Sequence, residues 1–125
     1  MTIQAVAGGF TVCQVKDFGG VDWTVPFTFA ARTDEEFSLV CPADAVPEET
    51  IRREDGWRAF RVQGTLDFAL VGILAKIASV LAEERISIFA VSTYNTDYVL
   101  VKEKDFIRAA DALEKNGYII DRGGI

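Results

Sequence analysis

Apolar and polar residues alternate over residues 57–64. Trp57, Ala59 or Phe60, and Val62 recur and the run stops at Gly64, which predicts a strand. Over residues 71–84 the spacing changes to three and four. Val71, Leu74, Ala75, Ala78, Leu81 and Ala82 share one stripe while Lys76, Ser79 and Glu83 lie opposite, so this segment predicts an amphipathic helix. Gly72 within it costs about 1 kcal/mol relative to alanine, which close packing or an approaching ligand has to offset. Residues 86–93 (ISIFAVST) are β-branched and aromatic and return to strand, Asn95 and Thr96 supply a turn, and residues 98–101 form a nearly all-apolar strand, central in its sheet. Asp105 is placed to cap a second helix with the stripe Phe106, Ala109, Ala110 and Leu113; Asn116-Gly117 ends it, and residues 118–120 make a last strand. The order βαββαβ is the split-βαβ, ferredoxin-like arrangement: an antiparallel sheet with two helices on one face.

The first half reads as a worn copy of the same unit. Strands are expected over residues 10–15, 27–31 and 37–40, and a polar helix over residues 47–54, opened by Val46-Pro47. EEFSLVCPAD aligns with TDYVLVKEKD, Phe37 on Tyr98 and Asp44 on Asp105, an offset of 98 − 37 = 61, whereas the first strands align near fifty, Val12 on Val62. The difference removes most of the first helix. The intervening DFGGVDWTVP, with two glycines and a proline, holds a turn of helix at most. Two units are therefore expected: a degenerate one over residues 1–56, packed beside an intact one over residues 57–125.

Composition narrows the partners. The 125 residues carry 13 Lys and Arg against 19 Asp and Glu, a net charge of −6 with no basic patch, so neither nucleic acid nor a membrane surface is an expected partner. Residues 1–10 lack Lys and Arg and resemble no signal peptide, and the longest apolar stretch is too short to span a bilayer; a soluble, cytoplasmic protein is expected. The absence of histidine removes the commonest general base and the commonest metal ligand, and no catalytic residue, metal or cofactor is expected. Cys13 and Cys41 fall inside apolar runs, as small hydrophobes in strands or as a redox pair.

Two corners concentrate hydrogen-bonding groups. The loop after the strand of residues 57–64 runs Gly64-Thr65-Leu66-Asp67-Phe68-Ala69 into the start of a helix, where backbone amides attract anions. The corner Thr93-Tyr94-Asn95-Thr96-Asp97 is the second. Together they describe a pocket for a zwitterion, with amides on its carboxylate and Asp67 or Asp97 on a cationic group, or else no more than a helix cap and a turn.

Phe60-Arg61-Val62-Gln63-Gly64, then Leu66 to Ala75 (LDFALVGILA), then Ile86 to Val101, with the patterns G-x-L-D-F-x-L-V-G-I-L and S-T-Y-x-T-D-Y-x-L-V, resemble an ACT domain. More narrowly they are similar to small bacterial tandem-ACT proteins related to aspartate kinase regulatory domains and to the cytosolic arginine sensors of animals; residues 33–42 match more faintly. The resemblance implies an α+β fold of two ferredoxin-like βαββαβ (ACT) units side by side, the first degenerate with a shortened first helix. It also implies non-catalytic regulation by a small ligand, an amino acid, bound between ACT units. Gly64, Leu66, Asp67 and Phe68 would line one side of that site and Thr93, Tyr94, Asn95 and Asp97 the other, Asp97 reading a cationic group. No kinase domain is expected to accompany these residues. A homodimer is expected from the sheet edges left over.

Two other functions share this fold. One is a ligand-free interaction or dimerisation module. The other is an acylphosphatase-like enzyme, for which Val62-Gln63-Gly64 matches a phosphate-loop tripeptide, but the loop lacks its arginine and Asp67 adds charge of the wrong sign.

Overall fold

The computed structural model describes residues 1–64 and 71–123. Its strands are β1 (Thr2–Val15), β2 (Phe29–Arg32), β3 (Phe37–Pro42), β4 (Arg52–Val62), β5 (Ile88–Ser92), β6 (Asp97–Lys102) and β7 (Ile119–Asp121), with helices α1 (Ile73–Glu83) and α2 (Phe106–Lys115). Short 3-10 turns, Ala43–Ala45 and Glu103–Asp105, follow β3 and β6. The chain divides into two compact units, one of Met1–Ala7 with Arg58–Ile125 and one of Gly8–Trp57. The fold is α+β.

In the larger unit the strand order is β7-β1-β4-β6-β5. The βαββαβ path expected from the sequence is present as β4-α1-β5-β6-α2-β7, but the start of β1 is inserted between its first and last strands. β1 runs parallel to β7, Thr2 opposite Ile119 and Ile3 opposite Ile120. Gln63 N–H donates to Thr2 O at 3.0 Å on its other side. Ile3, Ala5, Phe60, Val62, Val99 and Val101 alternate out of the strands into one core with Ile77 and Leu81 of α1 and Phe106, Ala109, Ala110 and Leu113 of α2. The helices thus share one face of this sheet. Phe60 stacks on Phe106 with centroids 4.6 Å apart, and the Arg58 guanidinium lies over the Phe106 ring at 4.3 Å.

The stripe of α1 is turned from the expected one. Ile77 and Leu81 are buried, Ile73, Leu74 and Val80 pack beside them, and Val71, Ala75 and Ala82 are exposed. The helix begins two residues after Val71, and alanines, which are equally at home on either face, had drawn the expected stripe round the helix. Gly72 lies before the first helical turn at φ 78°, so it spends no helix stability. At α2 the Asp105 side chain makes no cap and instead pairs with Arg108 at 3.0 Å. The C-terminus closes as expected: Gly117 takes φ 94°, the Tyr118 amide returns to Leu113 O and the Gly117 amide to Glu114 O, both at 3.1 Å.

In the smaller unit the order is β2-β3-β1-β4. Thr11 faces Cys41 and Cys13 faces Leu39 across the antiparallel β1–β3 pair, and Phe29 faces Val40 across β2–β3. Cys13, Val15, Leu39 and Cys41 form its core, covered by Phe18, Val21, Phe37 and Val46. No helix covers it. The connection after β1 does this with aromatic edges, Phe18 on Phe37 at 5.2 Å and Trp23 on Phe18 at 5.8 Å. Asp17 accepts the Gly19 amide at 2.8 Å, and Asp22 accepts the Thr24 hydroxyl at 2.6 Å and its amide at 3.0 Å, which fold this loop and hold the Asp22 carboxyl below its ordinary pKa.

The helix expected over residues 47–54 is absent. Residues 46–51 are irregular and β4 starts at Arg52; the Ile51 amide donates to Gln14 O at 2.8 Å. A polar segment with no apolar stripe has nothing to bury as a helix, whereas its backbone gains partners in β1. Asp55 also accepts from the buried Thr11 hydroxyl at 2.6 Å and from Arg53 Nη2 at 2.9 Å.

The internal repeat is closer than the alignment suggested, and its register differs by one. β3 and its 3-10 turn recur sixty residues later as β6 and its 3-10 turn, so Phe37 corresponds to Asp97 rather than to Tyr98. Burial along the two strands is the same position by position. The threonine turn sets this register. The Thr33 amide donates to Glu36 O and the Thr93 amide to Thr96 O, both at 2.9 Å.

Candidate functional site

β4 and β6 each send alternate residues to the core shared with the helices, which turns Arg61 and Tyr98 to the opposite face of the sheet. Where β4 ends, Gly64 takes φ 92°. Next to it the β5–β6 turn closes on itself: the Thr93 hydroxyl donates to Thr96 O at 3.0 Å. The Thr96 hydroxyl, buried, donates to Val62 O at 2.7 Å and pins the turn to the end of β4.

These elements enclose an open, polar cleft of about 430 Å³, lined by Gln4, Arg61, Gln63, Gly64, Asn95, Thr96 and Tyr98. Gln4 on β1 accepts from Arg61 at both Nε (3.1 Å) and Nη2, which fixes the guanidinium plane against the sheet. Among the described residues a bound group would meet the Arg61 guanidinium, the side-chain amides of Gln4, Gln63 and Asn95, and the Tyr98 phenol. A second cleft of about 470 Å³ lies along α1, with Lys76, Ser79, Glu83, Asn116 and Tyr118 in its lining. Among the described residues no group of three potential metal ligands comes together, and no helix is long and apolar enough to cross a membrane.

Of the residues expected from the sequence, Gly64 and Asn95 meet in the polar cleft. Thr93 and Tyr94 are exposed in the adjoining turn, Tyr94 at 78%. Asp97 faces Ser92 across the β5–β6 pair and accepts its hydroxyl at 2.7 Å. Leu66, Asp67 and Phe68 lie outside the described residues. Gln4, Arg61 and Tyr98 were not singled out from the sequence as site residues; Thr96 was read only as part of the polar corner and Gln63 only as part of the phosphate-loop tripeptide. The available signal was the polar phase of the strand at residues 61 and 63, which reads equally well as a solvated face.

A family model for the ACT domain matches residues 52–115, more than half of the chain. The chain belongs to the ACT-domain family. ACT domains are regulatory modules that typically bind amino acids and commonly oligomerise. The match begins where β4 begins and ends where α2 ends. Among solved structures, this ACT protein is similar to a protein of Agobacterium tumefaciens at 30% identity and TM-score 0.82, covering 95% of this chain and 90% of that one. Similarity of fold extends to the allosteric aspartate kinase of Clostridium acetobutylicum (17% identity, TM-score 0.68, 90% of this chain and 33% of that one). It extends also to a putative C-terminal regulatory domain of aspartate kinase from Porphyromonas gingivalis (19% identity, TM-score 0.58, 91% and 94%). The ACT protein thus shares its fold with aspartate kinase regulatory domains. No curated protein matches the sequence.

Proposed function

We propose that this ACT protein is a non-catalytic sensor that binds a small ligand, an amino acid, in the polar cleft at the end of β4. One observation carries the proposal. In a family of ligand-binding regulators, the cleft gathers the end of the first strand of the unit and the β5–β6 turn, and so brings Gly64 and Asn95 into one lining. The repeated strand, turn, strand and 3-10 turn supports treating residues 1–56 and 57–125 as two ACT-type units, the first degenerate. The cleft is open, and an ACT unit of a second copy would close it, which makes the working form a homodimer with its ligand between ACT units. Two unpaired buried cysteines accord with a reducing, cytoplasmic setting.

A ligand that binds only the folded state raises stability by about 2.7 kcal/mol at a hundred times its Kd. A melting screen against the twenty amino acids, with gel filtration of the responsive sample, is expected to show one class raising Tm and an apparent mass of two chains. No response to any of the twenty would overturn the sensor and leave an interaction module; a monomer at all concentrations would remove the dimer.

A further inference from the structure

The two helices of the larger unit present different outward faces. α2 turns Arg108, Asp111, Glu114 and Lys115 to solvent, as a surface helix does. The 11 residues of α1 hold only three polar side chains, Lys76, Ser79 and Glu83, and its exposed side is completed by Ala75 and Ala82, with Val71 87% exposed just ahead of it. A helix this apolar on both sides suits a place between two surfaces, and the core behind it takes only one of them. A groove of about 470 Å³ runs along the other side, between α1 and the Asn116 and Tyr118 side chains. The two charges in it have opposite sign and stand seven residues apart. Two turns of helix bring them to the same face, about 10 Å from each other, too far to pair within one chain. Among the described residues neither has an ion-pair partner, whereas the adjacent Glu84 meets Arg108 at 4.0 Å.

We propose that this face binds α1 of a second copy of the chain, antiparallel, about a two-fold axis that passes between Ser79 and Val80. Lys76 and Glu83 are equally distant from that axis, so each Lys76 meets the partner's Glu83 and each Glu83 the partner's Lys76. The face is complementary to itself, as a two-fold contact requires. Another partner would need the same two charges in reverse order at the same spacing, which α1 supplies once it is turned round. Ala75, Ser79 and Ala82 leave room for helix axes to approach to about 8–10 Å. The contact lies on the helical face of the sheet and the polar cleft on the other, so it goes beyond the sensor reading and does not depend on it. Pairs closed on the cleft would be joined by it into an assembly of four chains. One helix face is small beside the roughly 1,200 Å² of a lasting interface, so the contact is weak and reversible, and its charges govern specificity more than strength.

Sedimentation equilibrium of the full chain over a wide concentration range tests this. Lys76→Glu and Glu83→Lys each turn both attractive pairs into like-charge ones, and each is expected to weaken self-association about tenfold. Mixing the two variants should restore it, because in the mixed pair every charge again meets its opposite. The double exchange, Lys76→Glu with Glu83→Lys, should associate as the unaltered chain does. Ser79→Cys, beside the axis, should cross-link to its own copy under mild oxidation, whereas the unaltered chain, whose two cysteines are buried, should not. That cross-link decides the matter if a charge variant fails to fold. Single variants that associate like the unaltered chain, or that stay apart when mixed, overturn the contact and give the groove to another partner. So does a Ser79→Cys chain that does not cross-link. A chain monomeric at every concentration overturns this contact and the cleft dimer together, while a rise in Tm with an amino acid would still uphold the sensor.

Discussion

Cys13 and Cys41 sit on neighbouring strands two pairings out of step, Thr11 facing Cys41 and Cys13 facing Leu39, both thiols inside the smaller core. Burial raises both pKa values, that of Cys41 from 9.0 to about 11, assisted by the nearby Cys13 and opposed by Arg53. Below about pH 9 both folded and unfolded chains keep these protons and stability is unaffected. Between 9 and about 11 the unfolded chain ionises first, so the folded state loses stability as pH rises through that window. Urea midpoints measured from pH 8 to 11 should fall, and fall less steeply in Cys41→Ala; equal slopes would remove the thiol from the explanation. At this scale the sequence was partly legible. Two cysteines inside apolar runs read as core, and they are. Arg61 did not read as a site, because an arginine in the polar phase of a strand looks the same whether it faces water or a cleft; only the position of Gln4, fifty-seven residues away, distinguishes them.

Elements were legible where a stripe had something to bury. α2 has Phe106, Ala109, Ala110 and Leu113 on one side and a glycine at its end, and both were readable. α1 was legible as a helix but not in its rotation, since its alanines gave no direction and Ile77 had to be seen in place. That difference is measurable. Leu81 is fully buried and Ala82 exposed, although periodicity placed both on one stripe. Leu81→Ala is expected to cost about 2–5 kcal/mol. Ala82→Ser should stay within about 0.5 kcal/mol, as surface changes do. Denaturant melts of the two variants check this, and a comparable loss in Ala82→Ser would return the helix to its expected rotation. The segment of residues 47–54 failed as a helix for a related reason: proline at a helical start says where a helix can begin, not whether any apolar face will hold it.

At the scale of the whole molecule the recurrence of β3 and its 3-10 turn as β6 and its 3-10 turn was legible, and the departures from that recurrence were least so. Nothing local marks residues 2–7 as a strand of the larger unit, because the decisive partners, Gln63 and Ile119–Asp121, are far away in the sequence. Ile3 and Ala5 nonetheless stand in that unit's core at 1% exposure. Ile3→Ala should therefore destabilise the protein by about 2–5 kcal/mol, like an internal core position. A thermal or urea melt would show it, and a loss near zero would mean that the strand is dispensable. The insertion of β1 beside β7 also bears on how the chain reaches its native state. Residues 2–4 pair with residues 119–121, more than a hundred positions on, so the larger sheet cannot close until both segments have been made. Contacts of such separation slow folding. Until Ile119–Asp121 emerges, the apolar edge of Ile3 and Ala5 stays exposed, and that waiting period is when this protein is most open to aggregation or to a chaperone.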